Sequence, residues 1–474
     1  MAKNLLIARE YECSMLQDCM ESERSEFVIV YGRRRVGKTY LVEQFFDKTY
    51  DFSFVGAHKA AERVQLRNFA KAIKKHSSCD SLPRYNDWYE AFDALEEHLA
   101  AQPDDRKKVV FIDEMPWIDS IRSEFVMALE NFWNAWASRR DDIVLIASGS
   151  ATSWMVDKLV ENQGGLHARI TAHIYLRPFS LQDTEKYLRQ RGCRWDRYQI
   201  LQSYMIFGGV PFYLSLLKVK DSLVQNVDRL FFVQNAQMRL EYDELFNALF
   251  SNADQYTKLA RALAQHREGM TREELAKVYG SSGSQLTKML ANLIRCDFVE
   301  RVAQFGKKNS CVYRLVDCYT LFYYKFIEQD ESKDSTWWSN NFDSQSVISW
   351  MGFAYELVCL KHVLQIKKTM GISGISTSVS TWRGKSDDGE GAQIDLVIDR
   401  ADRYVNLCEI KFAKGEYLLT NEYEEKLRKR MTLFESATKT HKSVVTTFIT
   451  TFGVHNGAGR SIVHNELRLD DLFV

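Results

Sequence analysis

The 474-residue chain is predicted to be a multidomain α/β protein built around a parallel sheet. Three apolar runs, at residues 27–31, 109–112 and 143–147, alternate with amphipathic helical stretches up to about residue 175. Parallel strands that are buried on both faces have this pattern. The chain is also too long for one hydrophobic core, so we expect about three or four domains.

The first apolar run leads into residues 32–39, which read GRRRVGKT, and then into a predicted helix through residue 46. Strand, loop and helix together match the phosphate-binding loop pattern GxxxxGK[ST]. In that pattern backbone N–H groups surround the phosphates, the lysine contacts terminal phosphate oxygens and the hydroxyl binds Mg²⁺. The sequence therefore predicts a site for a nucleoside triphosphate, taken as ATP with Mg²⁺, formed by Gly32, Arg33, Arg34, Arg35, Val36, Gly37, Lys38 and Thr39.

The second apolar run ends in Asp113 and Glu114, the layout of a Walker B strand. We expect Asp113 to hold Mg²⁺ through water and Glu114 to orient or deprotonate the attacking water, because phosphoryl transfer depends mainly on positioning and charge neutralisation. The third run ends in ASGS, where Ser150 is the first choice for a sensor of the terminal phosphate, with a strand-end turn as the other interpretation. Arg169 is a candidate arginine finger, although a surface arginine is the commoner reading.

Composition limits the compartment and the partners. Lysine plus arginine and aspartate plus glutamate are balanced at 63 each, so nucleic-acid contact requires a local patch. Nine cysteines without a CxxC pair argue against a zinc cluster and a disulfide framework. With no signal-peptide stretch and no long apolar run, we expect a cytoplasmic protein without membrane contact. The ten histidines have no metal spacing and are interpreted as core or surface groups.

The pattern becomes helical after residue 175. Pro178 stops a strand, and Ser180 is predicted to cap a helix to about residue 190. Within the helical region to about residue 250 lies the segment GGVPFYL, which contains Gly209 and Pro211. A kinked junction between two helices is one interpretation of this segment.

The order GRRRVGKT, VVFIDE, ASGS, LRPFS and GGVPFYL resembles the archaeal-type ATPase branch near the AAA+ and STAND groups. The resemblance implies a P-loop NTPase core over residues 1–175 and a helical lid over residues 176–250. It also implies that Gly209 and Pro211 lie near the nucleotide base. A homo-oligomer is a further expectation, because an arginine finger such as Arg169 often acts on the nucleotide of a neighbouring copy.

Residues 251–318 are predicted to form a winged helix-turn-helix, in which three helices precede a hairpin with a basic tip at residues 306–309. Residues 254–316 hold 11 lysine or arginine residues against 6 aspartate or glutamate residues, a local positive excess. If the module reads DNA, the residues facing the major groove are Ser284, Gln285, Thr287 and Lys288, and those on phosphates are Lys307 and Lys308. The alternative is an interface with a protein partner or with the ATPase itself.

The remaining residues, 319–474, carry a second set of chemically active side chains. Residues 392–399 and 404–411 are predicted to form a hairpin, in which alternation places Glu409 and Lys411 on one face beside Asp395. This combination suits a metal-dependent phosphodiester hydrolase: Asp395 and Glu409 would bind Mg²⁺ or Mn²⁺, and Lys411 would orient water or stabilise charge. A preceding helix adds Glu356 as a further acid. An exposed, salt-bridged strand pair is the other interpretation.

The order of helix acid, Asp, Glu-x-Lys, helix and strand resembles the PD-(D/E)xK nuclease fold, although no proline precedes Asp395. The resemblance implies a restriction-endonuclease-like α/β domain over residues 319–474. The predicted function is an ATP-binding and ATP-hydrolysing switch coupled to a DNA-binding winged helix and a Mg²⁺-dependent deoxyribonuclease, in prokaryotic defence or DNA maintenance. The alternatives are a regulatory or signalling ATPase with a catalytically silent nuclease-like domain, and a scaffold that only binds nucleotide.

Overall fold

The fold is that of a computed structural model in which residues 6–77, 81–103, 105–119, 123–150, 152–160, 166, 169–250, 252–308, 310–385 and 391–474 are described. The chain divides into two compact units, Met1–Pro178 and Phe179–Val474. The first five residues of the predicted core and residue 309 of the predicted hairpin tip lie outside the described residues.

The first unit alternates helices with the strands of one parallel sheet, whose order is β2-β3-β4-β1-β5. Its elements are α1 (Glu10–Glu21), β1 (Glu26–Tyr31), α2 (Lys38–Phe45), β2 (Phe52–Val55), α3 (Glu62–His76), α4 (Trp88–Ala100), β3 (Lys108–Asp113), α5 (Phe125–Ala135), β4 (Ile143–Gly149), α6 (Thr152–Met155) and β5 (Ala172–Tyr175).

Alternation along β1 explains why this unit has three layers. Successive side chains of a strand point to opposite faces. Phe27 and Ile29 belong to an aromatic-rich core that also contains residues of α3, α4 and α5. Val28 and Val30 belong to a second core with residues of α1 and α2. The predicted parallel sheet that is buried on both faces is therefore confirmed.

The second unit begins with helices, continues through a small antiparallel hairpin and ends in a five-stranded sheet. Its elements are α7 (Leu181–Gln190), α8 (Arg197–Phe207), α9 (Pro211–Ser215), α10 (Leu223–Val227), α11 (Gln237–Leu249), α12 (Ala253–Gln265), α13 (Arg272–Tyr279), α14 (Ser284–Arg295), β6 (Val299–Ala303), β7 (Cys311–Leu315), α15 (Cys318–Phe322), α16 (Trp337–Asn341), α17 (Gln345–Lys361), α18 (Val363–Thr369), β8 (Thr377–Lys385), β9 (Gly391–Arg400), β10 (Tyr404–Lys411), α19 (Asn421–Thr438), β11 (Ser443–Thr450) and β12 (Asn465–Leu467).

Local sequence explains how the helical region starts. Ser180 forms a capping box with Asp183 at the start of α7, as predicted. Gly209 follows α8 with a φ of 69°, and its carbonyl oxygen accepts a 2.8 Å hydrogen bond from the Phe179 N–H. A Cβ at this position would collide with the Phe179 carbonyl oxygen, so only glycine fits.

The β6–β7 hairpin is attached to the last sheet rather than standing free. Immediately after β6, the Phe305 N–H donates a 2.8 Å hydrogen bond to the carbonyl oxygen of Thr381 in β8. The Phe305 ring also packs on Phe434 of α19, with 5.0 Å between ring centroids. Main-chain and aromatic contacts therefore fix the hairpin against this sheet.

The last sheet has the order β12-β11-β10-β9-β8, with β8, β9 and β10 antiparallel and β10, β11 and β12 parallel. The predicted hairpin thus forms, and Cys408 lies opposite Leu396. One step further in this register sets Glu409 opposite Asp395. Helix α17 packs on β10, so a helical residue approaches the same part of the sheet.

Two further features of the described residues concern the length of apolar helices and the state of the cysteines. No single described helix is both long and apolar enough to span a bilayer; only α17 and α18 taken together, with a 72° bend between them, reach that length and composition. In the described part of the chain, the cysteines are free thiols.

Candidate functional site

The loop between β1 and α2 has the conformation that its glycines allow. Gly32, Arg35 and Gly37 have positive φ angles of 148°, 75° and 90°. A Cβ at Gly32 would collide with the Leu176 carbonyl oxygen, which explains the glycine there. Lys38 begins α2 and is buried, and its Nζ donates to the carbonyl oxygens of Gly32 at 3.1 Å and Arg33 at 3.0 Å. The lysine therefore closes the loop on itself.

The ends of β3 and β4 bring two polar side chains, Asp113 and Ser148, to this loop. Thr39 Oγ1 donates a 2.8 Å hydrogen bond to Asp113 Oδ2. Ser148, at the end of β4, donates to the other carboxylate oxygen of Asp113, and the Glu114 N–H donates to that same oxygen at 3.0 Å. Because parallel strands end at the same edge, residues distant in sequence meet here. Asp113 is buried and held in one orientation.

Glu114 follows directly and is positioned by Ser150. Its φ of 50° turns the chain out of β3. Ser150 Oγ donates to Glu114 Oε1 at 2.6 Å, and the Ser150 N–H donates to Oε2 at 3.2 Å. Both carboxylate oxygens therefore accept hydrogen bonds from one residue of the neighbouring strand end. The expectation that Ser150 senses phosphate stays a prediction; the contact present is with Glu114.

The residues of this edge fit ATP and Mg²⁺ by their chemistry. The loop precedes a helix N-terminus, where N–H groups and the helix dipole favour anions. The Thr39 hydroxyl and the Asp113 carboxylate are oxygen donors of the kind that Mg²⁺ takes. A bound Mg²⁺ would neutralise charge on the phosphates. Of the other loop residues, Val36 is buried and Arg34 is half-buried.

The other predicted residues of the nucleotide site are placed less directly. Arg169 is exposed and precedes β5, and its N–H donates to the Leu166 carbonyl oxygen at 3.0 Å. Gly209 and Pro211 belong to the second compact unit, where Pro211 opens α9. The kinked helix junction is therefore present, and contact with the nucleotide base stays a prediction.

Glu409 lies at the centre of the second candidate site. Lys411 Nζ lies 2.6 Å from Glu409 Oε1 and Arg430 Nη1 lies 2.8 Å from Oε2, while the Tyr423 hydroxyl donates to Oε1 at 2.5 Å. Burial would raise the pKa of Glu409, but Lys411 and Arg430 outweigh it and hold the pKa below its usual range. The carboxylate is ionised and neutralised by two cations.

Asp395 is held by residues of two strands. Gln393 Nε2 donates to Asp395 Oδ1 at 2.6 Å. Arg314 of β7 lies 3.5 Å from the same oxygen and also donates to the Glu268 carbonyl oxygen at 3.2 Å and to Thr381 Oγ1 at 3.3 Å. Only 2% of Arg314 is exposed, so the hairpin places a buried guanidinium beside the carboxylate.

Glu356 approaches the pair from α17. Burial raises the pKa of Glu356 to about 8, and the negative charge of Asp395 contributes to the rise, while Lys411 opposes it. The four predicted residues Glu356, Asp395, Glu409 and Lys411 are therefore close enough to interact electrostatically. That they form one catalytic site stays a prediction.

The convergence does not by itself produce a metal centre. Asp395 and Glu409 supply the oxygen chemistry that Mg²⁺ or Mn²⁺ takes. However, Arg314, Lys411 and Arg430 already neutralise these carboxylates. Among the described residues, no three His, Cys, Asp or Glu side chains are grouped to hold a metal ion. In this arrangement a divalent cation would have to displace these cations from the carboxylates.

Sequence reasoning missed the residues that surround the predicted carboxylates. Tyr423 and Arg430 were recoverable, because residues seven apart lie on one face of the predicted helix that follows the hairpin. For Ser148, a phosphate sensor and a strand-end turn were equally weighted interpretations, and its hydrogen bond to Asp113 was not predicted. Arg314 lies 81 residues before Asp395, and no local pattern connects the two.

Known proteins are similar to this chain over its first part and, at low identity, over most of its length. A family model described as an ATPase domain predominantly from Archaea matches residues 6–217. Over 420 residues the chain is 23% identical to MJECL04, an uncharacterised protein of Methanocaldococcus jannaschii, in a match that covers 86% of this chain and 88% of that protein.

Two solved structures are similar at low sequence identity. The Walker-type ATPase PABY2304 of Pyrococcus abyssi is 19% identical with a TM-score of 0.47, covering 68% of this chain and 96% of that one. The ORC2 protein of Aeropyrum pernix is 14% identical with a TM-score of 0.42, covering 75% and 95%. From the family model, this chain contains an archaeal-type ATPase domain, and its first sheet is the parallel sheet typical of the P-loop ATPase fold.

Proposed function

We propose that the chain is an ATP-binding and ATP-hydrolysing switch. The observation that supports this most strongly is the hydrogen bond between Thr39 and Asp113, formed where the phosphate-binding loop meets the end of β3. It joins the two oxygen donors that a magnesium nucleotide requires. Next to them, Glu114 has a carboxylate held by Ser150, which suits a group that orients the attacking water.

Each residue has a separate role in this proposal. Lys38 leaves the loop carbonyls and contacts the terminal phosphate when ATP binds. Thr39 and Asp113 hold Mg²⁺, directly or through water. Glu114 orients the water, and Arg169 neutralises charge that develops on the phosphate.

Nucleotide binding and phosphate release, measured on the full chain, test the switch. Lys38→Ala is expected to lose ATP binding. Glu114→Gln is expected to keep binding but to lose hydrolysis by on the order of a hundredfold or more. Glu124→Gln, at an exposed glutamate of the same unit, is the matched control and should hydrolyse ATP normally. A wild-type chain that binds no ATP, or a Glu114→Gln variant with full turnover, contradicts the proposal.

The exposure of Arg169 supports a homo-oligomer in which one copy completes its neighbour's site. Mixing tests this directly. Arg169→Ala and Glu114→Gln should each be inactive alone, while an equimolar mixture regains part of the activity if the arginine acts between copies. A mixture without any regain argues for action within one chain or for no finger role.

DNA is the proposed partner of the region from α12 to β7, taken as a winged helix. The four candidate reading residues at the start of α14, Ser284, Gln285, Thr287 and Lys288, are all exposed. Local positive charge supports contact with a polyanion. The docked hairpin, in contrast, supports the alternative in which the module is partly an internal or protein-protein interface.

A metal-dependent DNA nuclease is the second candidate function, supported by the 2.6 Å pairing of Lys411 with Glu409 and by the electrostatic effect of Asp395, Lys411 and Glu409 on the pKa of Glu356. The ion pairs at Asp395 and Glu409 support the alternative, a regulatory ATPase with a catalytically silent domain. In either version the setting we propose is the prokaryotic cytoplasm, in defence or DNA maintenance.

One gel assay separates the two versions. Plasmid and linear DNA are incubated with the full chain and Mg²⁺ or Mn²⁺, with and without ATP. Cutting that is lost in Asp395→Ala and altered in Lys38→Ala supports the coupled nuclease. The matched control is Asp402→Ala, at an exposed aspartate in the turn after β9. ATP hydrolysis without cutting of any DNA form supports the silent version.

A further inference from the structure

A groove of about 580 Å³ opens between the tip of the β6–β7 hairpin and the β8–β9 hairpin. Lys307 lines it from the hairpin tip, residues 383–385 from β8 and residues 391–393 from β9. The groove is therefore built by two segments that are far apart in sequence. It adjoins the second candidate site, with which it shares Gln393.

The described lining of the groove is positively charged. Its described lining residues include three cations, Lys307, Arg383 and Lys385, and no carboxylate. Lys307 and Lys385 are exposed, so both ammonium groups are accessible to a ligand. Arg383 is half-buried, with Nη2 donating to the Glu268 carbonyl oxygen at 2.6 Å. A lining of this sign attracts an anion with several charges.

The groove is held open by contacts that do not involve these cations. Two residues before Lys307, Phe305 donates a hydrogen bond through its N–H to the Thr381 carbonyl oxygen, and its ring packs at a tilt against Phe434. These contacts fix the hairpin tip relative to β8. The spacing of the cations is thus a property of the fold and exists before a ligand arrives, which lowers the entropic cost of binding.

The groove runs along β9 toward Asp395. Gln393 lines it and donates a 2.6 Å hydrogen bond to Asp395 Oδ1. Residues two apart on a strand share a face, so β9 carries the groove toward the carboxylate cluster. At its other end, Gly391 has open space where a Cβ would stand, which permits close approach of a polymer backbone.

We propose that this groove binds the phosphodiester backbone of DNA, with phosphates at Lys307, Arg383 and Lys385. The inference rests on the proposed DNA partner and locates it. The hairpin and the last sheet then form one binding surface, and a strand lying in the groove passes beside Gln393 to Asp395. Regularly spaced phosphates suit cations from two walls, because each contact releases condensed counterions.

Fluorescence polarisation on the full chain, with a short labelled duplex and the corresponding single strand, tests the proposal. The double variant Lys307→Glu/Lys385→Glu reverses two exposed groove charges without touching the contacts that hold the hairpin. The matched double variant Lys220→Glu/Lys426→Glu makes the same charge change at exposed lysines that do not line the groove.

The groove variant is expected to bind DNA about tenfold more weakly or worse, and its log affinity should depend less steeply on log salt, by about two in slope. The control should stay within about twofold of wild type. Equal losses in both double variants, or wild-type affinity in the groove variant, overturn the proposal.

ATP hydrolysis, measured on the same preparations, separates this outcome from failure of the ATPase. A chain that hydrolyses ATP but binds neither DNA form overturns the groove and leaves the switch standing. A chain that binds DNA through the groove but never hydrolyses ATP supports the groove and overturns the proposed ATPase switch. Thermal unfolding of both double variants checks that neither result comes from misfolding.

Discussion

Thr39 and Asp113 are 74 residues apart in the chain, yet the threonine hydroxyl donates a 2.8 Å hydrogen bond to the aspartate carboxylate. Thr39 follows the first residue of α2, and Asp113 ends β3. The contact therefore depends on the order of the sheet, in which β1 and β3 both neighbour β4. One hydrogen bond thus joins the loop that would bind phosphates to the strand that would bind the metal.

Substitution at Thr39 should distinguish the role of the hydroxyl from that of the side-chain volume. Thr39→Ser keeps the hydroxyl and is expected to bind ATP with Mg²⁺ within a few-fold of wild type. Thr39→Val keeps the shape and is expected to lose about tenfold or more in affinity for the magnesium nucleotide. Titration with a fluorescent ATP analogue, with Mg²⁺ and with chelator, measures both. If Thr39→Val binds like wild type, the hydroxyl has no part in the site.

Ser150 should act on turnover through Glu114. Its hydroxyl and N–H are bonded to the two carboxylate oxygens, and Ser150→Ala removes only the first of these bonds. We expect the turnover rate to fall by about tenfold with little change in ATP affinity, because a less fixed carboxylate orients water less well. Steady-state phosphate release and equilibrium binding check this. A fall in affinity without a fall in turnover would instead favour contact between Ser150 and the phosphate.

His362 provides a pH-dependent contribution to the stability of the second unit. Its Nε2 accepts a 3.0 Å hydrogen bond from the Leu181 N–H at the start of α7, and its Nδ1 donates to the Val358 carbonyl oxygen at 2.7 Å. Burial lowers the pKa of His362 to about 4. Protonation would remove the acceptor at Nε2 and bury a charge.

The sign of the pH effect follows from that pKa. Because an unfolded histidine has a pKa of about 6.5, the unfolded state binds the extra proton first as pH falls. Above about pH 6.5 the neutral His362 therefore makes its full contribution to stability. Between about pH 6.5 and about pH 4, the free energy of unfolding falls by up to about 3 kcal/mol. Melting temperature against pH checks this in wild type, in His362→Gln and in His455→Gln, the last being an exposed control. The His362→Gln variant should melt lower at pH 7 but lose less stability on acidification.

Sequence reasoning succeeded where the residues that act together are adjacent in the chain. Lys38 and Thr39 lie in one contiguous motif after a buried strand, and the matching ATPase family model confirms the nucleotide-binding fold. Glu409 and Lys411 share a strand, so alternation was enough to pair them. The partners of Asp395 and Asp113 could not be obtained this way, since Arg314 and Ser148 reach them only through strand order and docking of the hairpin.

Arg314 should control whether Asp395 is available to a metal ion. In the structure, the Arg314 guanidinium lies 3.5 Å from Asp395 Oδ1 and balances its negative charge. The Gln393 amide donates a hydrogen bond to the same oxygen. Arg314→Gln removes the positive charge but retains hydrogen-bonding groups for the Glu268 carbonyl oxygen and for Thr381. We expect Mn²⁺ affinity, measured by calorimetric titration, to rise by about tenfold or more, since one competing charge is gone.

Two controls make the Arg314 result specific to Asp395. The double variant Arg314→Gln/Asp395→Asn should lose the gain, because the carboxylate that would bind Mn²⁺ is then absent. Arg301→Gln, at an exposed arginine of the neighbouring strand β6, should leave Mn²⁺ affinity unchanged. Arg314→Gln is also expected to lower the free energy of unfolding by about 1–3 kcal/mol, because buried acceptors lose part of their hydrogen bonding. An Arg314→Gln chain that stays folded but binds Mn²⁺ no better than wild type would show that Glu409, with its Lys411 and Arg430 partners, is what excludes the metal.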